Sequence, residues 1–241
     1  MAYLDFDTLV ICNNDFSEDF VSSCFDFFSD LGIKNFIFTY DYDLEVSGRP
    51  LSAGLQTFRT LKSYLHTFQP RGTRIYTAMN VVLSEGVSFN QDLLRLTVPH
   101  TQSLFLNLPI FNGQPWLEPD LTHLVYHKKL HPIFTSFERN AITYDDAVLE
   151  RFSRLPHAVF CIDANYMFSL RSEQKISMLL KSGAHILPSI SNQMSDYVAI
   201  LQGYADLKKR LGLPLYRELC KNIWETGTSL RKDFEAIRRS R

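Results

Sequence analysis

Long apolar runs, paired cysteines and a dominant charge of either sign are all missing from this sequence of 241 residues. No apolar run approaches the ~20 residues that a membrane-spanning helix needs, so we expect no membrane span. The four cysteines lie far apart and form no C-x-x-C pair, which is typical of reduced, mostly buried thiols. The amino terminus carries no basic segment and does not resemble a signal peptide. These absences together predict a cytoplasmic protein.

The net charge and the missing nucleotide-binding motifs argue against two further classes of protein. The net charge of −1 argues against a general nucleic-acid surface. Neither G-x-G-x-x-G nor G-x-x-x-x-G-K-[ST] occurs, so nucleotide-binding α/β folds lack support. The whole sequence is 45% hydrophobic and 21% charged, which indicates a packed core rather than a disordered chain. Nineteen phenylalanines and eleven tyrosines suggest that this core is rich in aromatic rings.

Seven short apolar runs alternate with segments of helical periodicity along the chain. The runs fall within residues 8–12, 35–39, 74–83, 99–108, 133–135, 158–162 and 184–188. This order predicts parallel strands joined by helical crossovers. A closed barrel and an open, doubly wound sheet both fit the pattern.

The helix signals are clearest near the amino terminus, where Ser17 can cap a helix and Gly32 can end it. Further helices are predicted over about 55–68, 117–130, 147–152, 176–180 and 198–211, with more helix after Pro214. The polar segment 45–54 is predicted to be a loop.

Three histidines, His123, His127 and His131, are spaced four residues apart and would share one face of the predicted helix 117–130. The zinc-protease pattern H-E-x-x-H needs a glutamate after the first histidine, where this chain has Leu124. Pro132 also ends the helix near His131. We therefore interpret the spacing as a solvated or partly packed helix face rather than a zinc site.

Residues 135–139, Thr-Ser-Phe-Glu-Arg, follow an apolar run and precede a helical segment. They resemble the Ala-His-Pro-Glu-Arg motif of the PHP (polymerase and histidinol phosphatase) superfamily, as it occurs in bacterial PHP tyrosine phosphatases linked to capsule polysaccharide synthesis. The resemblance implies an α/β fold, the distorted seven-stranded (β/α)7 TIM-like barrel. It further implies one domain over residues 1–241, with a C-terminal helical segment over about 214–241. A bacterial source and a site at the carboxyl ends of the strands are implied as well.

Members of the resembled family hold two or three metal ions with His, Asp and Glu, and the ions activate water and offset phosphate charge. In the matching motifs of this chain, other residues occupy the positions of the metal ligands. In the first three matched strands, Cys12 and Asn14 replace two histidines of the first, Asp41 replaces a histidine of the second, and Asn80 replaces a glutamate of the third. Ser136 replaces a histidine of the fifth strand, and Ile190 and Asn192 replace an aspartate and a histidine of the seventh. Asparagine binds transition metals poorly, and isoleucine cannot bind them. These substitutions predict a PHP-like barrel without a metal or other cofactor.

The first hypothesis is therefore a catalytically inactive, PHP-like protein with a binding or regulatory role in polysaccharide-related or phosphate-ligand recognition. Its polar pocket would consist of Asn13, Asn14, Asn80, Ser136, Arg139, Ser191 and Asn192. The two-pronged donor geometry of Arg139 suits a small anion, although an ion pair with Glu138, Asp145 or Asp146 is an equal alternative. The expected partner is a small anionic ligand or a protein.

Two other hypotheses stay open. The second is a metal-dependent phosphoesterase or protein tyrosine phosphatase, with Mn, Zn or Fe held by a remodelled site of Cys12, Asp41 and Asp43. The third is a metal-free barrel in a ribonucleoprotein, as in PHP-like RNase P subunits, which the near-neutral charge disfavours. No matched histidine adjoins Cys12, so we prefer a structural thiol to a nucleophile there. The basic tail 231–241 could contact an acidic partner or form a solvated helix face.

Overall fold

A computed structural model of the chain describes residues 7–12, 16–43, 51–90, 93–98, 101–110, 113–137, 143–163, 172–191 and 197–236. Seven strands run through this part of the chain. They are β1 (Thr8–Cys12), β2 (Asn35–Asp43), β3 (Arg74–Val82), β4 (Ser103–Asn107), β5 (His131–Thr135), β6 (Val159–Asp163) and β7 (His185–Ser191). The predicted strands are confirmed, although β2 extends four residues beyond the predicted 35–39.

The strands form a closed parallel barrel in the order of the chain. Each strand pairs with the next, and β1 also pairs with β7. At the closure, Cys12 lies opposite Thr39 on one side and opposite Ser191 on the other. The pairing of β1 with β7 excludes the open, doubly wound alternative, so the predicted seven-stranded TIM-like barrel is confirmed.

Helices connect the strands on the outside of the barrel. They are α1 (Glu18–Asp30), α2 (Leu51–Thr67), α3 (Leu93–Leu96), α4 (Leu117–Thr122) continued by a π-helical turn (His123–His127), α5 (Asp146–Ser153), α6 (Ser172–Lys181) and α7 (Tyr197–Ala236). Within the described residues, none of these helices has the length and apolarity needed to cross a membrane.

Helix α1 illustrates how the sequence specifies these elements. The Ser17 hydroxyl accepts a hydrogen bond from the Phe20 amide at 3.4 Å, which is the predicted cap. Phe25 and Phe28 lie on the buried face, and the Phe25 ring meets that of Phe36 in an edge-to-face contact with centroids 4.9 Å apart. Gly32 then takes a positive φ of 96°, which ends the helix.

Two local predictions are wrong. The predicted loop 45–54 is helical from Leu51 onward, because α2 begins there; residues 44–50 lie outside the described residues. His131 is the first residue of β5, so it does not share a helix with His123 and His127. Those two lie in the π-helical turn with ring centroids 5.2 Å apart, and Phe89 stacks on His123.

Alternation along the strands separates two layers of core. Along each strand, every second side chain faces the helices, and the side chains between them point into the barrel. The inner layer contains Val10, Ile37, Ala78, Val98, Phe105, Ile133, Val159, Cys161, Leu187 and Leu230. Leu230 comes from α7, and Val98 follows α3, so both enter the barrel from outside the sheet.

Helix α7 closes the amino-terminal end of the barrel, which we call the floor. It breaks at Gly212, where φ is 72° and ψ is 157°, two residues before Pro214. Beyond the break, Gly227 approaches Thr8 so closely that an added Cβ would lie 2.7 Å from the threonine Oγ1. Arg231 then donates to the Asp7 carboxylate at 2.5 Å and is only 14% exposed.

We expect Gly227→Ala to lower the free energy of unfolding by about 1 kcal/mol or more. Alanine is favoured over glycine in a helix by about 1 kcal/mol, but overpacking costs about 1–3 kcal/mol. Urea denaturation of the wild type and the variant measures the difference. Thr8→Ala in the same chain should recover part of the loss, because it removes the hydroxyl nearest to the new methyl group. Equal stability of Gly227→Ala and wild type would contradict the close packing of α7 on β1.

Candidate ligand site at the carboxyl-terminal mouth

The carboxyl ends of the strands form the mouth of the barrel, where sites lie in barrels of this type. Counting by twos along each strand from the inner core residues shows that polar side chains occupy the inner positions at this end. The inner positions near the ends of the first six strands are Cys12, Asp41, Asn80, Asn107, Thr135 and Asp163, and Ser189 is an inner position of β7. Cys12, Thr39, Asn80 and Ser136 all lie at this end of the barrel, whereas Asn192 lies outside the described residues.

A hydrogen-bonded group of Asn80, Asp41 and Thr135 lies within this mouth, and we call it the mouth triad. Asn80 is 1% exposed, and its Nδ2 donates to Asp41 Oδ1 at 2.5 Å. Thr135 Oγ1 lies 2.9 Å from Asn80 Oδ1 and 3.2 Å from the Leu106 carbonyl oxygen, both of which can accept its proton. Both ends of the Asn80 amide therefore have partners, as a buried polar group requires.

Ser136 occupies a turn rather than a strand position. Its φ is 54°, a left-handed conformation that non-glycine residues adopt in only a few per cent of cases. The next residue, Phe137, is fully buried against Phe160 with ring centroids 5.2 Å apart. Burial of Phe137 thus directs the chain away from the barrel axis immediately after Ser136. Thr135 is the last inner residue of β5, and sequence matching missed it.

Strand β7 carries different inner residues from those matched by motif. Leu187 belongs to the inner core, whereas Ile190 belongs to the outer core between barrel and helices. Since side chains alternate, Ser189 occupies an inner position. The match of Ile190 to a metal-binding aspartate is therefore wrong, because its side chain faces the helices.

Asn107 and Asp163 are further polar residues that sequence matching missed. Both are buried, with exposed fractions of 8% and 4%, and each ends an apolar strand. A signal was present: each is a polar residue two positions after an inner apolar residue, Phe105 and Cys161 respectively. Counting by twos from the strand interior would have identified them.

The other predicted site residues divide into two sets. Asn13, Asn14, Glu138, Arg139 and Asn192 lie outside the described residues. Asp43 ends β2, and Cys12 is a half-buried cysteine at the end of β1. Burial raises the pKa of the Cys24 thiol to about 12, so that group stays protonated at neutral pH.

Several basic residues of α7 have partners within the chain. Arg231, in the predicted basic tail, pairs with Asp7 at the floor. Arg210 pairs with Glu173 at 3.1 Å, and Lys208 lies over the Tyr216 ring at 5.2 Å from its centroid. Arg231 therefore contacts the barrel rather than solvent alone.

An aromatic cleft lies on the helix side of β2, between this strand and α2. It encloses about 590 Å³ and is lined by Phe16, Tyr40, Gln56, Thr57, Thr60, Leu61 and Tyr64. Tyr40 directly precedes Asp41 on β2, so one strand contributes to both the cleft and the mouth triad. The walls combine aromatic rings with polar groups, a composition common in ligand pockets.

We expect Asn80→Ala and Thr135→Val to be energetically coupled. Asn80→Ala should lower the free energy of unfolding by about 2 kcal/mol, because it deprives two neighbours of a buried partner. The double variant should lose about 1 kcal/mol less than the sum of the single variants. Urea denaturation of all four proteins measures this coupling. Thr101→Val serves as the control, since Thr101 Oγ1 bonds to the Val98 carbonyl, and it should be additive with Asn80→Ala. Additivity of the mouth pair would contradict the triad.

Comparison with known proteins supports the fold. No family model matches the chain, and no curated protein matches it. Among solved structures, the chain is similar to one from the pair YwqE from Bacillus subtilis and CpsB from Streptococcus pneumoniae, which are described as unique metal-dependent tyrosine phosphatases. The matched chain is 14% identical with a TM-score of 0.54, and the alignment covers 86% of this chain and 85% of that one.

The prediction that the chain takes no cofactor is wrong in the light of this likeness, because the matched phosphatases are metal-dependent. The mouth nevertheless differs from a histidine-rich metal centre. Among the described residues, no group of three or more His, Cys, Asp and Glu side chains could hold an ion. The inner mouth positions do supply the oxygen donors Asp41 and Asp163, which suit one hard cation with retained water better than a histidine-held cluster. The chain thus has the PHP-type barrel fold of the metal-dependent tyrosine phosphatases, with a mouth in which oxygen donors prevail.

Proposed function

We propose that this chain binds a phosphorylated ligand at the barrel mouth and is a recognition protein rather than an efficient hydrolase. The mouth triad is the observation that carries the proposal. The position matched to a metal-bridging glutamate holds the neutral residue Asn80, whose amide nitrogen donates a hydrogen bond to Asp41 Oδ1. A neutral amide cannot supply the negative charge that holds two cations together. Efficient phosphate hydrolysis by metal-activated water is therefore not favoured, whereas hydrogen bonding to a phosphate is.

Anion recognition would fall to the residues around the rim. Arg139 is the strongest candidate, because a guanidinium stays charged and can bind two phosphate oxygens at once. The neutral donors proposed to assist it are Asn13, Asn14, Ser136, Ser191 and Asn192. These groups would bind phosphate by charge-assisted hydrogen bonds without forming a nucleophile.

The carboxylates of Asp41 and Asp163 mean that a phosphate bound here needs charge compensation. Asp41 and Asp163 would repel a phosphate dianion that approached the mouth unaccompanied. A divalent cation such as Mg²⁺ commonly binds through one or two carboxylates together with the phosphate itself. Asp41 would hold that cation, and the cation would supply charge compensation.

The aromatic cleft suggests the kind of ligand. Its rings at Phe16, Tyr40 and Tyr64 offer stacking and edge contacts for another aromatic group. Tyr40 faces the helices and Asp41 faces the barrel axis, so a ligand with its ring in the cleft would have to reach over the carboxyl-terminal end of β2 to place its phosphate in the mouth. A phosphotyrosine side chain has this form, in keeping with the substrate of the matched phosphatases.

A second candidate function is slow, metal-dependent phosphoester hydrolysis, with a reduced site around Cys12, Asp41 and Asp43. Retention of Asp41 in the mouth favours it, because this carboxylate remains a cation ligand. The two functions differ in turnover: release of inorganic phosphate from a bound phosphotyrosine peptide with Mg²⁺ or Mn²⁺ present would establish hydrolysis.

The first test concerns Arg139. We expect inorganic phosphate to bind with a dissociation constant in the millimolar range, about −4 kcal/mol, and a phosphotyrosine peptide to bind more tightly because the cleft adds contacts. Arg139→Ala should abolish both interactions. NMR titration of isotope-labelled protein provides the measurement.

Arg154→Ala is the matched control for this test. Arg154 is an exposed arginine paired with Glu150 at 2.6 Å on α5, and its loss should leave phosphate binding unchanged. Absence of saturable shifts in the wild type would refute the anion site. Unfolding of Arg139→Ala would instead assign the residue a structural role.

The second test concerns Asp41. In the wild type, millimolar Mg²⁺ should tighten binding of the phosphotyrosine peptide by about tenfold, or about 1.4 kcal/mol. Asp41→Asn should remove this Mg²⁺ dependence without weakening the binding measured in a chelator, since one repelling charge is gone. Isothermal titration calorimetry measures both constants. Asp206→Asn, at an exposed site near Lys209, is the control and should behave as wild type. Mg²⁺-independent binding in the wild type would count against a cation at Asp41.

A further inference from the structure

The aromatic cleft exists because α2 does not seal against β2. Among the described side chains of α2, from residue 55 to residue 67, only Leu61 and Leu65 are buried. Helix α1, which packs on the same strand, buries four side chains over its 13 residues. The space beside α2 measures about 590 Å³, which lies within the range of about 300–1,000 Å³ typical of small-molecule sites.

One face of α2 supplies most of the lining of the cleft. Gln56, Thr60 and Tyr64 are four residues apart, so they lie on the same face of the helix. Gln56 and Thr60 are exposed, whereas Leu61 beside them is buried. A helix that packs fully on a sheet carries apolar residues along such a face. The cleft therefore has an apolar bottom and a polar rim, which is the composition of a ligand site rather than of a core interface.

The aromatic walls of the cleft are held in place by neighbouring rings and by the sheet. Phe16 meets Phe38 edge to face, with ring centroids 5.9 Å apart. Tyr64 meets Phe68 in the same way, with centroids 4.9 Å apart. Tyr40 belongs to the paired part of β2 and β3. A ligand therefore finds these rings already ordered, which removes one of the usual costs of binding.

The chemistry of the lining selects for an uncharged aromatic group. None of the described residues that line the cleft is charged. A charged group among the rings would lose hydration without gaining a counter-ion. An aromatic ring, in contrast, gains stacked or edge-to-face contacts with Phe16, Tyr40 and Tyr64.

The rim can hydrogen-bond one polar substituent of such a ring. Thr60 Oγ1 donates to the Gln56 carbonyl oxygen at 3.2 Å, so the hydroxyl oxygen is left to accept a hydrogen bond from a ligand. The side-chain amide of Gln56 adds both donors and an acceptor. A hydroxyl or amide group on the ligand would therefore find partners where the cleft meets solvent.

The cleft and the mouth lie on opposite faces of β2. Tyr40 packs with the outer core, whereas Asp41 takes an inner position, two pairs of residues beyond the inner residue Ile37. A molecule confined to the cleft therefore does not touch the mouth triad.

We propose that the aromatic cleft is a second ligand site, which takes a free, uncharged molecule with more than one aromatic ring and a single hydroxyl or amide group. A single aromatic side chain of a partner protein would fill only part of the cleft, which favours a free molecule as the occupant. The function proposed for the mouth uses this cleft only for the ring of a phosphorylated ligand, whereas the second site acts without phosphate.

Binding of 2-naphthol to the full chain tests the proposal. This probe is uncharged at neutral pH and has two fused rings and one hydroxyl group. An NMR titration should show saturable shifts at cleft residues, with a dissociation constant below about 1 mM. Intermolecular NOEs should connect the ring protons of the probe to the methyl groups of Leu61 at the bottom of the cleft. Absence of saturable binding, or NOEs only to residues elsewhere, would overturn the proposal.

Two further probes test the class of ligand. Acetyl-tyrosinamide offers one ring, as a protein side chain does, and 2-naphthoate carries a negative charge. Both should bind several-fold more weakly than 2-naphthol. If acetyl-tyrosinamide bound as tightly as 2-naphthol, the occupant would be a protein side chain and the proposal would be wrong. Equal binding of 2-naphthoate would contradict the selection for an uncharged molecule.

Thr60→Trp is the informative variant, because the indole would fill the cleft from an exposed helix position and should abolish 2-naphthol binding. Ser63→Trp is the matched control. Ser63 is also exposed on α2, its hydroxyl also donates to the carbonyl oxygen four residues earlier at 3.2 Å, and it does not line the cleft. Ser63→Trp should bind 2-naphthol as the wild type does. Wild-type binding by Thr60→Trp, or equal loss in both variants, would place the probe outside the cleft.

Arg139→Ala and Asp41→Asn distinguish this site from the one proposed at the mouth. Both variants should bind 2-naphthol with wild-type affinity, and inorganic phosphate should not compete with it. Loss of 2-naphthol binding in either variant would overturn the separate site and leave the function of the mouth to its own tests. A wild-type chain that binds 2-naphthol but not phosphate would support the cleft and refute only the function proposed for the mouth.

Discussion

Closure of seven parallel strands into a barrel is the constraint on which the rest of the structure depends. Because β1 pairs with β7, no sheet edge remains, and every strand has one face toward the helices and one toward the axis. Alternation then leaves each strand few inner positions, and the last of these decides what the mouth can bind. Ile190 and Ser189 show how strict this alternation is: one residue along the strand separates the helix layer from the barrel interior.

The helices and strands could be predicted from the sequence because their signals are local and repeated, whereas closure into a barrel was implied only by the family resemblance. Apolar runs, helix periodicity and the Ser17 cap each specify an element without reference to the others. The site was only partly predictable for the opposite reason. Motif matching found Asp41 and Asn80 but passed over Thr135 and Asp163, since a motif carries no information on which way a side chain points. Register, which is set by pairing across the barrel, supplies that information.

The floor could not have been predicted from local patterns at all. His131 looked like the third member of a helical series with His123 and His127, yet it packs against His157, which follows it by a whole helix. The close approach of Gly227 to Thr8 joins residues at opposite ends of the chain. Contacts of this kind arise only when the strand order and the path of α7 are known. They also give a physical reason for glycine at position 227, where alanine would favour helix formation but would meet Thr8.

The chemistry of the mouth bears on whether the barrel can exist without its ligand. A cluster of imidazoles and carboxylates brought together for several cations is electrostatically costly until the cations arrive. In the mouth triad, Asn80 gives Asp41 a donor and Thr135 an acceptor, so these polar groups are satisfied by one another. Under the proposed function, such a mouth would need no ligand to satisfy its polar groups and would gain only a few hydrogen bonds and one cation contact on binding. That balance supports the proposal of reversible phosphate recognition over rapid hydrolysis, because little charge is held ready for a transition state.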